Sequence, residues 1–237
     1  MKIAFVIDKI RFSIPLGIGY LCAVLKKSGY EVDVFEIGKN PKKSIRTIQK
    51  FHPNIVGYTI FTGMQSKFIK FNQMLKEKLK FYAIFGGPHP TFFPQMVEVN
   101  GIDAVCIGEG ERAFLNFIRL VERCKELPEK ADNFWIKKNG KIFKNPVGPL
   151  ITDLDNLPFP DIEIFIKKFP IFKVWKRQEM IIHRGCPYKC SYCFNHTYNE
   201  IYKKNGFIYR SRSPENICEE IEFIRKYKRY KSYLFCG

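Results

Sequence analysis

The sequence lacks the features of a membrane-spanning or exported protein. No apolar run approaches the roughly 20 residues that a helix needs to cross a bilayer. The stretch Met1–Asp8 is too short and too soon charged for a signal peptide, and we expect it to form a first strand. Only three of the eight cysteines cluster, at one short segment, so they do not suggest a secreted disulfide framework. These absences predict a protein without a membrane span, located in the reducing cytoplasm.

Acidic residues are scarce, since 23 Asp and Glu stand against 40 Lys and Arg and give a net charge of +17. Such a charge can indicate binding to nucleic acid or to an anionic membrane. The lysines, however, are spread along the whole chain, and short clusters such as Lys167-Lys168 are typical of solvated helix faces. No motif that reads nucleic acid accompanies them, so we do not expect nucleic acid as a partner.

Short apolar segments alternate with amphipathic ones through the first half of the chain, which is typical of a parallel sheet covered by helices. Five segments are strand candidates: Lys2–Ile7, Glu31–Ile37, Asn54–Phe61, Phe81–Phe85 and Asp103–Ile107. Three helical stripes accompany them: Ile18, Leu21, Cys22 and Leu25; Phe68, Phe71 and Leu75; and Phe114, Ile118 and Val121. We therefore predict an α/β fold with a Rossmann-like (flavodoxin-like) five-stranded parallel sheet.

In such sheets, ligands bind beyond the carboxyl ends of the strands. Four loops would meet there: the one after Asp8, Thr59–Gly63, Gly86–Thr91 and Gly108–Glu111. Their glycines would let the backbone approach a ligand closely, and helix N-termini there favour anionic groups. None of the loops contains G-x-G-x-x-G or a P-loop, which argues against a nicotinamide or triphosphate site. The glycines alone fit ordinary strand-to-helix turns equally well.

A hairpin is predicted at Asn133–Asn145, with its turn at Asn139-Gly140. Four prolines in the stretch that follows, Pro146–Asp161, indicate an extended connector. The predicted organisation is a first domain over residues 1–130, a hairpin and connector over 131–177, and a second domain over 178–237.

The cysteines Cys186, Cys190 and Cys193 have C-x3-C-x2-C spacing on one short loop, which follows the apolar segment Glu179–Ile182. Thiolates are soft ligands that suit iron–sulfur clusters or zinc. Structural zinc usually takes four protein ligands, whereas a cubane cluster held by three cysteines leaves one iron open. A structural zinc loop and three buried thiols remain the alternatives.

The cysteine loop, with Tyr192 before its last cysteine, resembles the signature of the radical S-adenosylmethionine enzymes. The resemblance implies that Cys186, Cys190 and Cys193 hold a 4Fe-4S cluster whose open iron binds S-adenosylmethionine, with Tyr192 near the adenine. The cluster would pass one electron, from a donor such as flavodoxin or ferredoxin, and split S-adenosylmethionine into methionine and a 5′-deoxyadenosyl radical.

The segments G-G-P-H-P-T and G-I-D-x-V-x-I-G-E-G-E resemble the cobalamin-binding domain of class B radical S-adenosylmethionine enzymes, and L-x-x-L-P-x-P-D resembles the linker that follows it. The resemblance implies a cobalamin site lined by Thr59, Thr62, Gly86, Gly87, His89, Gly108, Glu109 and Gly110. The D-x-H-x-x-G motif is absent, so cobalt would lack a histidine ligand from that motif. His89, between two prolines in a turn, is expected to be a polar contact to the nucleotide loop or a surface histidine.

Beyond the cysteines, Ser213 and Pro214 open a predicted helix with a stripe of Ile217, Ile221 and Ile224, and Lys231–Phe235 is a further strand. Arg210 and Arg212 precede this helix and could meet a carboxylate or phosphate, although arginines there are commonly solvated. A radical core takes about six βα units of roughly 30 residues each. We therefore expect the first βα unit of an incomplete partial TIM barrel, with an unpaired edge at its last strand.

These features predict the N-terminal portion of a cobalamin-dependent radical S-adenosylmethionine enzyme, of the methyltransferase type, that acts on a small molecule of unspecified class. One alternative is a non-catalytic cobalamin-binding fragment. Another is a basic nucleic-acid-binding protein with a zinc loop.

Overall fold

The computed structural model describes residues 1–8, 13–203 and 208–237, which form two compact units. The first unit contains Leu25–Gly148 together with the first strand. The second contains Pro149–Gly237 together with a segment that ends at Val24. No helix of the described residues is long and apolar enough to cross a bilayer.

The first unit is built on one sheet of seven strands in the order β2-β1-β3-β4-β5-β6-β7. Its strands are β1 (Lys2–Ile7), β2 (Glu31–Glu36), β3 (Ile55–Thr59), β4 (Tyr82–Gly86), β5 (Ala104–Cys106), β6 (Phe134–Lys138) and β7 (Lys141–Lys144). Strands β1 to β5 are parallel, in the order 2-1-3-4-5 of flavodoxin-like sheets. The predicted Rossmann-like α/β fold is therefore confirmed, and the five predicted strands are present within a residue or two of their expected bounds.

The sheet has two strands more than the five predicted, because the predicted hairpin is part of it. Strand β6 pairs antiparallel with β5, in a register that places Ala104 opposite Ile136, and β7 pairs with β6. An unpaired edge at β5 would expose a row of backbone groups, and the hairpin covers it. The structure thus groups the hairpin with the first unit, whereas the sequence placed it in the connector.

Helix α1 (Leu16–Lys27) lies mostly in the second unit, and the helices of the first unit are α2 (Pro41–Phe51), α3 (Gln65–Lys76), α4 (Pro88–Phe92) and α5 (Glu111–Cys124). Nine of the ten residues in the three predicted stripes are buried, and Leu21 is half-buried. Helix α2 begins at Asn40, whose side chain accepts a hydrogen bond from the Lys43 amide, and Pro41 fits the first helical position. Phe68 of α3 packs against Tyr58 of β3, and Phe114 of α5 packs against Phe5 of β1. Such burial is the main stabilising term for helices of this kind.

The second unit contains one strand–helix–strand unit and a proline-rich segment. Its elements are α6 (Glu163–Lys168), α7 (Ile171–Val174), β8 (Arg177–Ile181), β9 (His183–Arg184), α8 (Asn195–Ile201), β10 (Arg210–Ser211), α9 (Pro214–Arg225) and β11 (Ser232–Cys236). Strands β8 and β11 are parallel with α9 between them in sequence, while β9 and β10 form a short antiparallel pair. The predicted βα unit and the strand that follows it are both present.

The segment Pro146–Asp161, predicted as an extended connector, contains neither helix nor strand, and the two short helices α6 and α7 follow it. Phe165 and Phe172 are fully buried and meet edge to face, with ring centroids 6.2 Å apart. The Lys228 ammonium donates to the carbonyls of Phe172 and Trp175 at the end of α7. A cation at a helix C-terminus satisfies carbonyls that lack intrahelical partners, which stabilises this short helix.

Candidate cofactor sites

The predicted cobalamin residues lie on three loops at one edge of the first sheet. Because β3, β4 and β5 are parallel, the segments that follow Thr59, Gly86 and Cys106 meet at the carboxyl edge, while the predicted loop after Asp8 lies outside the described residues. In a sheet of this order, the switch point lies between β1 and β3, where ligands of flavodoxin-like folds bind. A cleft of about 630 Å³ lies at the opposite edge, beside Asn54 and Tyr82, and contains none of the predicted residues.

The loops after β3 and β4 are tied to each other through their backbones. The Ile60 amide donates to the Gly86 carbonyl, and the His89 amide donates to the Ile60 carbonyl, both at 2.9 Å. Gly87 has φ 93° and ψ −170°, a conformation that only glycine adopts readily. A Cβ there would lie 3.1 Å from the Ile60 nitrogen and 3.1 Å from Cγ2 of Thr59. The close approach of the two loops therefore requires glycine at this position.

Thr91 joins the loop after β4 to the loop after β5, and sequence reasoning did not single it out as a site residue. Its hydroxyl donates to the Gly87 carbonyl at 2.9 Å and accepts from the Gly108 amide at 3.0 Å. The residue is 5% exposed. Its bond to Gly87 spans one helical turn. The sequence would therefore indicate this role for Thr91 only if Pro88–Phe92 were predicted as a helix rather than a turn.

His89 lies in α4 and makes polar and aromatic contacts at this edge. Its Nδ1 is 3.2 Å from the Thr62 hydroxyl, and its ring stacks on Phe93 with centroids 5.0 Å apart. Partial burial lowers the pKa of His89 from its ordinary value. Phe93 and Phe61 are 52% and 56% exposed, and sequence reasoning missed both. The edge therefore presents two accessible rings beside a polar pair.

The third loop contains Gly108, Glu109 and Gly110, all half-buried. Gly108 has φ 76°, and the Gly110 carbonyl accepts from the Phe114 amide at 2.7 Å at the start of α5. The structure thus places all eight predicted cobalamin residues at the carboxyl edge. It brings Thr62 into contact with His89. Their role as cobalamin contacts stays a prediction.

The cysteine loop leaves the carboxyl end of β8 by way of β9. Gly185 has φ 81°, and a Cβ there would overlap the Ile208 carbonyl. The Cys193 amide donates to the Cys190 carbonyl at 3.1 Å, and the Asn199 side chain donates to the Cys186 carbonyl at 3.0 Å. The backbone of the loop is thus closed on itself and tied to α8.

The side chains of the loop are accessible. Cys190 is exposed, Cys186 and Cys193 are half-buried, and all three are free thiols. Tyr192 is 91% exposed. Within the described ranges, no group of three or more His, Cys, Asp or Glu is arranged to hold a metal ion. The donor chemistry nevertheless fits a cubane cluster, since three soft ligands lie within eight residues of one accessible loop.

Two polar atoms beside this loop are buried without a hydrogen-bond partner in the described part of the chain, Nδ1 of His183 and Oδ1 of Asn199. Arg210 and Arg212 are both buried rather than solvated, and Arg212 meets a carboxylate, which was the other expectation. Arg210 donates to the Ile151 carbonyl at 2.8 Å, and Arg212 forms an ion pair with Glu220. The base of the loop is therefore rich in buried polar groups.

Comparisons with known proteins agree with this geometry. Residues 8–118 match the model of the B12-binding domain family. The chain is 28% identical over 217 residues to an uncharacterized methyltransferase of Pyrococcus horikoshii. This alignment covers 89% of this chain and 45% of the relative. It is 30% identical over 224 residues to the anaerobic magnesium-protoporphyrin IX monomethyl ester cyclase of Rubrivivax gelatinosus. That alignment covers 90% of this chain and 39% of the relative.

Among solved structures, the chain is similar to the cobalamin-dependent S-adenosylmethionine radical enzyme OxsB with aqua-cobalamin and S-adenosylmethionine bound. The TM-score is 0.78 at 17% identity, over 99% of this chain and 33% of that chain. The chain thus spans less than half the length of each of these relatives. Most of the match to the B12-binding family lies in the first unit, and the alignments to the sequence relatives cover about nine-tenths of the chain. Residues 8–118 therefore match a B12-binding domain, and the chain as a whole is similar to a cobalamin-dependent S-adenosylmethionine radical enzyme.

Proposed function

We propose that the chain forms the N-terminal part of a cobalamin-dependent radical S-adenosylmethionine enzyme that transfers a methyl group to an unreactive carbon. The observation that supports this most is the pairing of two features in one chain. A B12-binding domain match covers residues 8–118, and a three-cysteine loop leaves the carboxyl end of β8 in the second unit. Either feature alone would fit a simpler protein.

In this proposal, cobalamin is held at the carboxyl edge of the first unit and serves as the methyl carrier. The glycines Gly86, Gly87 and Gly108 keep the loop backbones free of side chains, so that a flat macrocycle can approach them closely. Thr62 and His89 offer polar groups to its amide substituents, and Thr59, Glu109 and Gly110 complete the rim. Phe61 and Phe93 supply apolar surface, and large rings contribute much of the contact area in ligand sites.

The cysteines Cys186, Cys190 and Cys193 would hold the 4Fe-4S cluster, which supplies the electron that cleaves S-adenosylmethionine. Three thiolates leave one iron for S-adenosylmethionine, and Tyr192 would lie near the adenine. The accessible loop suits electron delivery by a small donor such as flavodoxin or ferredoxin, in the reducing cytoplasm. The cofactors perform the chemistry, while the chain orients them and excludes side reactions.

A second candidate is a B12-binding module in which the cysteine loop carries no working cluster. The arrangement of the loop favours it, because the described residues contain no three-membered metal group. A zinc loop on a basic nucleic-acid-binding protein is the third, and the charge of +17 is its only support.

The test is anaerobic reconstitution of the chain with iron, sulfide and hydroxocobalamin, followed by dithionite reduction and an assay of S-adenosylmethionine for 5′-deoxyadenosine. The variant Cys186→Ala/Cys190→Ala/Cys193→Ala is compared with Cys124→Ala/Cys218→Ala, which removes two exposed cysteines outside the loop. We expect bound cobalamin in all three proteins, and cluster absorbance with product only in the wild type and the control.

The outcomes separate the candidates. Bound cobalamin with no cluster and no product would favour the B12-binding module. Zinc in the purified protein, with binding to RNA that weakens as salt rises, would favour the third candidate.

A further inference from the structure

Arg212 connects helix α9 to the end of strand β8 through one buried guanidinium. Its side chain is 4% exposed and forms an ion pair with Glu220, whose side chain is 1% exposed. Its Nε donates to the side-chain oxygen of Asn216 at 2.8 Å, and its Nη1 donates to the Ile181 carbonyl at 2.9 Å. Ile181 is the last residue of β8. One side chain therefore fixes the strand from which the cysteine loop departs.

The backbone around Arg212 holds the next residues of the same segment. The Arg212 amide donates to the Ile182 carbonyl at 2.9 Å. Strand β10 then pairs with β9, and the backbone of Gly185 lies against the Ile208 carbonyl so closely that no Cβ fits between them. The path from β8 to Gly185 is thus braced by residues 208–212, directly before the first cysteine.

We propose that Arg212 is a positioning residue, which sets where Cys186 stands at the end of β8. It acts through the backbone of Ile181 and Ile182 and touches neither cluster nor substrate. For its catalytic meaning this inference rests on the proposed function, since the position of Cys186 matters to the reaction only if the loop holds a cluster.

The choice of residues supports a positioning role over a purely stabilising one. A buried ion pair adds little stability compared with a well-packed apolar pair of the same size. A guanidinium, however, presents several donors in fixed directions, and here it serves a carboxylate, an amide oxygen and a strand carbonyl at once. A lysine in its place keeps the charge and can pair with Glu220. Its single ammonium cannot donate to all three of these acceptors in the directions that the guanidinium does.

The experiment compares three variants with the wild type. Arg212→Lys keeps the charge, and Arg212→Leu/Glu220→Leu removes both buried charges, so that neither leaves an unpaired charge that would unfold the unit. The matched control is Arg225→Leu on helix α9, which also contains Glu220, because Arg225 pairs with Glu222 at the surface. Far-UV circular dichroism confirms that each variant is folded.

Two readouts are independent of turnover. In the cluster-free chain, the alkylation rate of Cys186 is measured relative to that of exposed Cys190 in the same molecule. In the reconstituted chain, the rate of iron loss to a chelator is measured, together with the electron paramagnetic resonance spectrum of the reduced cluster. Residues that orient ligands typically affect metal affinity by about 10–100-fold, so we expect iron loss to accelerate by about that factor in both Arg212 variants. We also expect faster relative alkylation of Cys186, and no change in Arg225→Leu.

The result that would overturn the inference is a wild type that binds a cluster while both Arg212 variants keep its alkylation ratio and its iron-loss rate. The proposed function would survive that result. Conversely, a wild type that takes up no cluster, with Cys186 more reactive in the variants, would remove the proposed function and leave Arg212 as the residue that positions the loop.

Discussion

In the first unit, the candidate cofactor residues lie on loops whose backbone groups bond to one another. In the second unit, the candidate cluster ligands are free thiols on an accessible loop, and the bonded, buried groups lie beneath it. Ile60, Gly86 and Gly108 illustrate the first arrangement, and Arg212 with Glu220 illustrates the second. The difference follows the chemistry of the ligands. A large organic cofactor needs a surface already shaped for it, whereas a metal site commonly gathers its ligands as it binds.

The largest effect is expected when the buried ion pair of the second unit is disrupted. Glu220→Leu leaves the Arg212 guanidinium buried without its carboxylate, and such a change typically costs about 3–5 kcal/mol of unfolding free energy. The matched control is Glu222→Leu, which breaks the surface pair with Arg225 and should cost about 0–1 kcal/mol.

Urea unfolding measures both changes. The chain has two tryptophans, Trp135 in the first unit and Trp175 in the second, so a Trp135→Phe background makes the fluorescence report on the second unit alone. Equal losses in Glu220→Leu and Glu222→Leu would show that the buried pair is not the support described above.

The matching test of the first unit is Gly87→Ala. Alanine at φ 93° is strained, and its Cβ would press on the backbone nitrogen of Ile60, so we expect a loss of about 1–3 kcal/mol and weaker cobalamin binding. Gly140→Ala is the control, since Gly140 also has a positive φ, of 75°, but a Cβ there meets nothing within 4 Å.

The control should therefore show backbone strain on the order of 1 kcal/mol and unchanged cobalamin binding. A Trp175→Phe background isolates the first unit in the unfolding curves, and the cobalamin absorbance measures binding. If Gly87→Ala binds cobalamin as tightly as Gly140→Ala does, the loops after β3 and β4 do not form a shaped site.

The features that sequence reasoning reached are those set by local rules. The stripe of Phe68, Phe71 and Leu75 follows helical periodicity, and all three residues are buried. Ser213 is the N-cap of α9, with its hydroxyl accepting from the Asn216 amide at 3.1 Å, as its place before Pro214 predicts. The cysteine loop was recognisable because its spacing is itself the signal.

What sequence reasoning missed depends on contacts between distant residues. The turn at Asn139-Gly140 predicts a hairpin, but nothing local shows that Ile136 would pair with Ala104 of β5. Arg212 was a possible contact to a carboxylate or a solvated side chain, and nothing local identifies Glu220 as the partner with which the fold buries it. The prolines of Pro146–Asp161 say nothing about the two short helices that follow, where Phe165 and Phe172 are buried. In each case tertiary packing overrides the local preference.

A smaller difference between the two units is expected in the rates of backbone hydrogen exchange. We expect the amides of residues 186–194 to exchange quickly in the cluster-free chain, except that of Cys193, which donates to the Cys190 carbonyl. The others should exchange at least about tenfold more slowly after reconstitution, because cluster binding would order the loop. The amides of Ile60 and His89 already donate to carbonyls, so they should be protected without cobalamin.

Mass spectrometry of peptides from quenched exchange reports both regions in one sample. The triple cysteine variant, treated with iron and sulfide, is the control for non-specific effects. Strong protection of residues 186–194 before any iron is added would show that the loop is shaped in advance, and the contrast between the units would disappear.

The smallest expected effect concerns His89, whose partial burial lowers its pKa below the ordinary value of about 6.5. The neutral ring is therefore favoured in the folded state, while the unfolded chain binds a proton more readily. The contribution to stability is present above pH 6.5 and is lost as the pH falls from there through the lowered pKa. The sign is opposite to that of a histidine held by a carboxylate.

Phe93→Ala removes the ring that stacks on His89, so its pKa should rise toward the ordinary value, and an NMR titration of the imidazole measures this shift. The control is Phe61→Ala, which removes a similarly exposed ring from the preceding loop. Added cobalamin should lower the pKa of His89 further if the cofactor covers this edge, because deeper burial disfavours the charged ring. A titration that cobalamin leaves unchanged would place the cofactor away from His89, and the polar pair with Thr62 would then serve only to join the two loops.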